Sequence, residues 1–564
     1  MHTRIAAALL TCVSLSACVA TSVEEPIRAA PSPATVTVQL LAINDFHGNL
    51  ESPQGTLSYI DNGEVRQARL GGAAQLAATL AALRKDNSLT VAAGDLIGAS
   101  PLASSLFLDE PAIRVLSDMG LDVASVGNHE FDRGTDELRR MAGGGCEQFT
   151  RREPCAVEPF AGAGFAYLAA NVVDEETGET LLPGTDMRQA GGATIGFVGM
   201  TLEGTPDIVS AQATAGYSFL DEAETANRLA RQLRAEGADA VVLLIHQGGE
   251  VDPGFNDSGC PGLDGDIVPI VDALGPDISV VVSGHTHLAY VCDRQTAAGG
   301  QVLLTSAGRY GAFVTDIDLV VDPASDAVLA TEARNVPVPA SGPRDEAIAA
   351  YVARYVEAAG PVANRQVGAI VDSGGKGEDC LDDPAEGLVA DAYLDAARRA
   401  PGEGADFAFV NSGGVRTDLS GAADGVLTYG ELAAMSPFGN GVLVLDMTGA
   451  QFAALLEAQW CDGESWARPC ESVLIPSANV SYDVDLSAPQ GQRVTEVLLD
   501  GEPLDPARHY RVVSNSFLAG GGDGFAMLAG VPQLANVGYD IDALEAYVAD
   551  RQLTVPLCGR VQRD

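Results

Sequence analysis

Lysine is nearly missing from this chain: Lys85 and Lys376 are the only two among 33 lysine and arginine residues. Basic residues of either kind are outnumbered by 77 acidic ones, leaving a formal net charge of −44 at neutral pH. Nucleic-acid polymers are held through a basic footprint that displaces counterions from the phosphate backbone, so this balance excludes them as partners. Beyond the extreme N-terminus there is no apolar run of the length a membrane-spanning helix needs. No unit recurs at a fixed period, which sets aside solenoids and propellers. No two cysteines stand at Cys-x-x-Cys spacing, which sets aside the common thiolate zinc frameworks. What is present is a chain of 564 residues, 46% hydrophobic and 20% charged. That composition belongs to a globular protein, and the length exceeds what one hydrophobic core organises, so two domains are expected.

At the N-terminus, His2 and Arg4 precede an apolar stretch over 5–15, which closes on Leu15-Ser16-Ala17-Cys18. This is the pattern of an export signal, and small residues ahead of a cysteine resemble a bacterial lipobox. The resemblance implies a signal peptide over 1–17, lipidation of Cys18, and membrane contact only through that lipid anchor. Residues 18–35 then form a flexible tether containing Pro26, Pro31 and Pro33. Val19 behind the cysteine points to the outer membrane, facing the periplasm or the cell surface. In an oxidising compartment disulfides are the default for the eight cysteines that remain besides Cys12 and Cys18. Local spacing suggests Cys146 with Cys155, Cys260 with Cys292 and Cys461 with Cys470, leaving Cys380 for Cys558.

Between 36 and 338, short β-branched runs alternate with alanine- and leucine-rich helical stretches, as in layered folds built from βα units. Strands are expected at 36–43, 89–93, 122–126, 240–245 and 278–283, and helices at 73–83 and 222–234. Residues 344–359 read as one helix with a single buried face, stopped by Gly360-Pro361. The segment 339–362 that contains it is the candidate linker. The remainder, 363–564, has strands and helices of its own, with glycine turns at Gly413-Gly414 and Gly520-Gly521-Gly522.

Histidine is rare too, and its placement is informative. Of seven, His2 lies in the signal and His509 in an ordinary polar stretch. The other five each follow a predicted strand: His47 in Asn44-Asp45-Phe46-His47-Gly48, His129 in Gly127-Asn128-His129-Glu130, His246, and His285 with His287 in Gly284-His285-Thr286-His287. Asp95, in Gly94-Asp95, is placed likewise. In layered α/β proteins the residues just past the carboxyl ends of neighbouring strands gather in one crevice. One histidine alone is more often a hydrogen-bonded structural residue. Five at strand ends favour a metal cluster, because imidazoles and carboxylates together suit divalent transition ions. Two such ions roughly 3.5–4 Å apart clamp an in-line displacement at phosphorus.

The ordered set Asp45-x-His47, Gly94-Asp95, Gly127-Asn128-His129-Glu130, His246 and Gly284-His285-x-His287 resembles the calcineurin-like metallophosphoesterase signature, and it spans the whole first domain. The resemblance implies a four-layer αββα sandwich over 36–338. It implies Asp45, His47 and His287 as ligands of one metal, Asn128, His246 and His285 as ligands of the other, and Asp95 as the bridge. It also implies that His129 and Asp132 form a catalytic dyad, the carboxylate orienting an imidazole that stabilises negative charge. The implied cofactors are two divalent ions drawn from zinc, manganese, magnesium, iron and cobalt.

The second region resembles the C-terminal domain of the 5′-nucleotidase family in three places: Asn411-Ser412-Gly413-Gly414-Val415-Arg416, Ser436-Pro437-Phe438-Gly439-Asn440, and the run from Asn515 to Asp523. An α/β substrate-binding domain over 363–564 is implied. Phe438 and Phe517 are suited to sandwich a planar base. Asp523 is suited to accept from ribose hydroxyls, and Arg416 offers a planar fork for phosphate oxygens. Asn411, Gly414 and Asn440 complete the implied substrate set. One departure stands out: many members carry further arginines before the helix near Leu388, whereas here Lys376 is the only positive residue over 372–383. On so acidic a chain, a phosphate-bearing ligand needs metals or a local arginine to reverse the field.

The resemblance as a whole implies an extracytoplasmic dimetal phosphohydrolase that converts nucleoside 5′-monophosphates to nucleoside and phosphate, a metal-bridging hydroxide attacking phosphorus in line. A rotation about the linker helix would carry the substrate between domains. Alternatives on the same scaffold are a 2′,3′-cyclic-nucleotide phosphodiesterase with 3′-nucleotidase activity and a UDP-sugar or NAD hydrolase. A thiosulfohydrolase of sulfur oxidation has no use for a base-stacking pair, and a silent nucleotide-binding surface protein tends to lose metal ligands, none of which is missing here. The expected partner is a nucleotide substrate, and nothing in the residues sets the oligomeric state.

Overall fold

The structure is a computed structural model and describes residues 35–61, 64–251, 255–372, 381–402, 404–417, 425–460, 473–549, 551–554 and 559–563. Two six-stranded sheets form the N-terminal half. The first runs Ala327–Pro337, Phe313–Asp322, Val36–Ile43, Ser88–Ala93, Val123–Ser125, Ala166–Leu168; the second runs Ala289–Gln295, Gln301–Ala307, Ile278–Val282, Ala240–His246, Ala193–Thr201, Thr185–Ala190. Four consecutive strands of each are parallel. Parallel strands covered on both faces carry unbroken apolar runs, and Ala240–His246 is buried along its whole length.

The pleat divides each strand between two layers. Val38, Leu40 and Ala42 meet Phe197, Val242, Leu244 and Val280 between the sheets, whereas Leu41 and Ile43 face the helices outside. Ala73–Leu83 and Glu110–Asp118 cover the first sheet through Leu76, Leu80, Ile113 and Leu116. Glu222–Ala235 and Ile267–Asp272 cover the second through Ala226, Leu233, Ile267 and Val271. The outcome is a four-layer αββα sandwich. Apart from the helix near 344–359, each strand or helix expected from the sequence in this half lies within one residue of its observed ends.

That helix is Glu346–Ala363, capped by Asp345, whose side chain accepts from the Ala347 and Ile348 N–H groups. Ile348, Val352, Tyr355 and Ala359 recur every three or four residues, and this face packs on the first domain. Gly360-Pro361 does not stop it. Pro361 lies in the last turn, where its ring removes one helical donor, and Asn364 N–H still reaches Gly360 O at 2.9 Å.

The C-terminal domain is built on a five-stranded sheet ordered Leu474–Pro476, Phe407–Asn411, His509–Asn515, Gly441–Thr448, Gln533–Tyr539. Pro384–Arg399, started by a capping box of Asp383 and Glu386, and Asp540–Ala549 join it around one core containing Leu388, Phe407, Val444, Phe452 and Leu544. Two of the expected disulfides are present, Cys146–Cys155 and Cys260–Cys292. The pairs Cys461–Cys470 and Cys380–Cys558, the lipidation position Cys18 and Lys376 lie outside the described residues. No helix of the described residues is long and apolar enough to cross a membrane.

Candidate functional site

The carboxyl ends of five parallel strands deliver the cluster. Asp45 and His47 follow Val36–Ile43, Asp95 follows Ser88–Ala93, and Asn128 and His129 follow Val123–Ser125, all from the first sheet. His246 ends Ala240–His246, and His285 and His287 follow Ile278–Val282, from the second. The loops are stitched together beyond the strands: Asp45 N–H donates to Gly94 O (3.1 Å), and His47 N–H donates to Asp95 O (2.9 Å). Asp45, His47, Asp95, His285 and His287 all adopt left-handed backbone, with φ between 47° and 72°. Such a conformation costs a non-glycine residue of order 1–3 kcal/mol and persists only where its surroundings over-determine it. Gly127 is obligatory here, because a Cβ on it would overlap Asp95 Oδ1.

Three imidazole nitrogens and two carboxylate oxygens converge. His47 Nε2 lies 3.1 Å from His287 Nε2 and 3.6 Å from Asp95 Oδ2. His287 Nε2 lies 3.3 Å from Asp45 Oδ1, and His246 Nε2 lies 3.0 Å from Asp95 Oδ2. His285 Nδ1 approaches Asn128 Oδ1 at 3.1 Å. The far sides of these groups are tied to the protein. Asp45 Oδ2 accepts from Asn44 Nδ2 and His285 N–H, Asp95 Oδ1 accepts from His129 N–H, and the Nδ1 groups of His47 and His246 face the carbonyls of Gly98 and Ala93. Outer partners of this sort set the tautomer and aim Nε2 inward.

Asp45 Oδ1 and His246 Nε2 are buried and have no hydrogen-bond partner among the described residues; Asp95 Oδ2 is close to the latter but out of line for a bond. Three groups with ligand atoms within 4.8 Å of one another are present: Asp45, His47 and His287; Asp95, His246 and His285; and His47, Asp95 and His129. Orphaned acceptors, inward-facing imidazoles and two buried carboxylates make a donor set that fits divalent cations.

The electrostatics agree. Burial alone would raise both aspartates, yet His287, His47 and His246 hold Asp45 well below the ordinary carboxylate range, and His246, His129 and His47 do the same for Asp95. Burial would lower His246, but Asp95 and Asp45 push it up to about 10. Burial brings His287 down to about 4, against the pull of Asp45. The charges of Asp95 and Asp45 therefore win at His246, and burial wins at His287.

His129 stands at the cleft edge, its Nδ1 2.9 Å from Asp132 Oδ2. Its ring stacks on Phe438 of the second domain at 6.0 Å and 17°, and its Nε2 accepts from Arg416 Nη2 at 3.1 Å. The Arg416 guanidinium lies over Phe438 at 5.1 Å. Asn411 Nδ2 donates to Asp523 Oδ2 (2.7 Å), and the Asn440 N–H donates to the buried Asp540. Phe517 packs partly against its own domain's core, and the Cβ that Gly522 lacks would run into its ring. A cleft of about 620 Å³, within the usual range for small-molecule sites, is lined by Asp95, Asn128, His129, Asp132, His285 and His287 from one domain and by Asn411, Gly414, Arg416, Phe438, Asn440, Phe517 and Asp523 from the other. Asp45, His47 and His246 lie beneath its floor, fully or almost fully buried.

Glu130 was legible only as part of a motif. Its carboxylate accepts from the N–H groups of Asp95 (3.0 Å), Leu96 (2.8 Å) and Gly127 (2.5 Å), clamping two ligand loops together. Burial, then the Asp95 charge, lifts it to about 7. Asn44 plays a similar part, donating to Asp45 and to Gly308 O. The only signal in sequence is adjacency to a ligand, which does not say that a side chain turns back onto the backbone.

Residues 38–289 match the model of the calcineurin-like phosphoesterases, and residues 363–530 match that of the 5′-nucleotidase C-terminal domain. The chain belongs to the 5′-nucleotidase family. With that family it is a metal-dependent phosphoester hydrolase. It is 30% identical to the endonuclease YhcR of Bacillus subtilis (strain 168), over 86% of this chain and 37% of that protein, so it spans little more than a third of YhcR. It is 29% identical to the cell wall protein Lmo0130 of Listeria monocytogenes, over 92% of this chain and 68% of that one. The structure of a 5′-nucleotidase precursor from Thermus thermophilus has the same fold, with a TM-score of 0.71, 24% identity, and coverage of 94% of this chain and 99% of that one.

Proposed function

We propose that this 5′-nucleotidase family member hydrolyses nucleoside 5′-monophosphates to nucleoside and phosphate outside the cytoplasm. The observation that carries the reading is the meeting of Arg416 with His129, because it brings a phosphate-fitting fork and a charge-stabilising imidazole to one point beside the metal donors. Asp45, His47 and His287 would hold one divalent ion and Asn128, His246 and His285 the other, with Asp95 between them. Bound there, two divalent ions supply Lewis acidity toward phosphoryl oxygens and lower the pKa of water.

The chain's own groups do the rest. Asp132 orients His129 through Nδ1, so that Nε2 faces the place of a phosphoryl or leaving oxygen and can donate a proton there. Arg416 spans two phosphate oxygens and counters the acidity of the cleft. Phe438 and Phe517 offer faces to the base, Asp523 with Asn411 takes the ribose hydroxyls, and Gly414 and Asn440 leave room beside them. The export signal ending at Cys18, the two disulfides and the name of the Listeria relative support a location outside the cytoplasm. The name of the Bacillus relative belongs to a protein most of whose length has no counterpart here, and a net charge of −44 speaks against a polymer substrate.

The test is phosphate release from AMP, 3′-AMP, 2′,3′-cyclic AMP, UDP-glucose, NAD and bis(p-nitrophenyl) phosphate with manganese or zinc. AMP is expected to show the highest kcat/KM. A higher value for a cyclic nucleotide, UDP-glucose or NAD would replace the substrate, and no turnover on any of the six would end the reading.

A further inference from the structure

The outer partners that orient the imidazoles are not evenly distributed. His47 and His246 each have a backbone carbonyl at Nδ1, at 2.9 and 2.7 Å. His287 has no hydrogen bond at Nδ1 among the described residues, although its backbone is left-handed at φ 62° and its Nε2 enters the cluster. A ligand ring without a bond on its outer side needs another contact there to stay within the narrow geometry a ligand requires.

The neighbour that takes this place is Tyr310. Its ring lies 5.6 Å from the His287 ring, tilted by 60°, and 5.8 Å from the His47 ring in an edge contact of 72°. Its backbone N–H donates to Asp45 O at 2.7 Å. One residue therefore touches all three members of the Asp45–His47–His287 group, and both imidazoles that its ring meets belong to that group. Tyr310 is itself held. Its backbone is left-handed at φ 59°, the Arg309 guanidinium lies 5.0 Å from its ring centroid, and Asn44 ties the preceding Ala307 and Gly308 to the Asp45 loop.

We infer that Tyr310 is a positioning residue for one metal of the pair, its ring standing in for the outer hydrogen bond that His287 lacks. The inference rests on the two-metal reading above. A histidine without its outer partner typically loses one to two orders of magnitude in metal affinity. Loss of the Tyr310 ring therefore separates the two ions, weakening the one at Asp45, His47 and His287 while the one at Asn128, His246 and His285 stays.

The experiment compares the full chain with Tyr310→Phe and Tyr310→Asn, since asparagine accepts left-handed backbone and so removes the ring without adding strain. Tyr310→Leu serves as a second ring-less variant should the first fail to fold. Each protein is stripped, titrated with Mn²⁺ or Zn²⁺ against a competing chromogenic chelator, and its ion content is counted by mass spectrometry. The wild type and Tyr310→Phe are expected to bind two ions alike. Tyr310→Asn should bind one ion as before and the other 10–100-fold more weakly, with kcat restored by excess metal and KM little changed. Two ions at wild-type affinities in the ring-less variants, or both weakened in parallel, would overturn the inference and leave the two-metal reading intact. Fewer than two ions in the wild type would overturn that reading and the inference with it.

Discussion

Arg416 Nη2, from the C-terminal domain, donates to His129 Nε2 of the N-terminal domain across 3.1 Å. Since His129 Nδ1 faces Asp132, the imidazole donates on that side and accepts on the other. The guanidinium thus occupies the position where an acceptor on a substrate would meet the protonated ring. A phosphate entering between them would take a donor from each domain, which would couple domain approach to the completeness of the site.

Arg416→Ala is accordingly expected to lower kcat by about 10²–10³-fold, the usual cost of removing one donor from a developing negative charge. Arg416→Lys should recover little, because a point charge cannot span two oxygens. Steady-state kinetics on AMP decide it, and a variant with wild-type kcat would remove Arg416 from the chemistry.

His129→Ala and Asp95→Ala should fail in different ways. The first is expected to keep both metals and lose about 10²–10⁴-fold in kcat. The second should lose metal, and with it the gain in Tm that added Mn²⁺ gives the wild type, since a ligand stabilises only a fold that binds it. Metal counting alongside kinetics separates the two, and full turnover by His129→Ala would break the dyad.

Gly522→Ala places a methyl group against the Phe517 ring. Overpacking of this kind costs about 1–3 kcal/mol, and the ring yields more readily toward the cleft than into the core beneath it. The expected result is a KM for AMP about tenfold higher with kcat nearly unchanged. An unaltered KM would argue that Phe517 does not meet the base.

Asp540 supplies a pH test remote from the metals. Burial lifts its carboxyl to about 7, against the N–H groups of Asn440 and Ile541, Ser436 and the charge of Arg151; Tyr393 is a further titratable group nearby. Between roughly pH 4, where it ionises in the unfolded chain, and pH 7, the folded state holds the extra proton, so this group costs stability as pH rises through that window. Asp540→Asn removes the penalty. Its Tm relative to wild type should climb from pH 4 to pH 7 and level off above, by an amount of the order of a few kcal/mol in stability. A difference independent of pH would mean that Asp540 is ionised throughout.

Much of the N-terminal fold could be read directly because its central parallel strands are buried on both faces, and a fully apolar run such as Val241 to Ile245 admits few alternatives. The helix at Glu346–Ala363 was legible in its buried stripe of Ile348, Val352, Tyr355 and Ala359, and misread at its end, because a proline in a last turn breaks far less than one in a helix centre. Asp45, His47, Asp95, His129, His246, His285 and His287 stood out by residue type and by position behind a strand.

By itself, then, the sequence determined which side chains are the candidates for the chemistry and that strand ends would gather them, since both follow from local pattern and from the geometry of parallel sheets. Tertiary structure alone decided how they are aimed. The amides of Asp95 and Leu96 gathered by Glu130, the Tyr310 ring against two imidazoles and the reach of Arg416 to His129 all join segments tens to hundreds of residues apart, and the left-handed turns at Asp45, His47, Asp95, His285 and His287 are held among them. Strain of that kind is held only by packing around it, and packing between distant segments leaves no mark in any short stretch of chain.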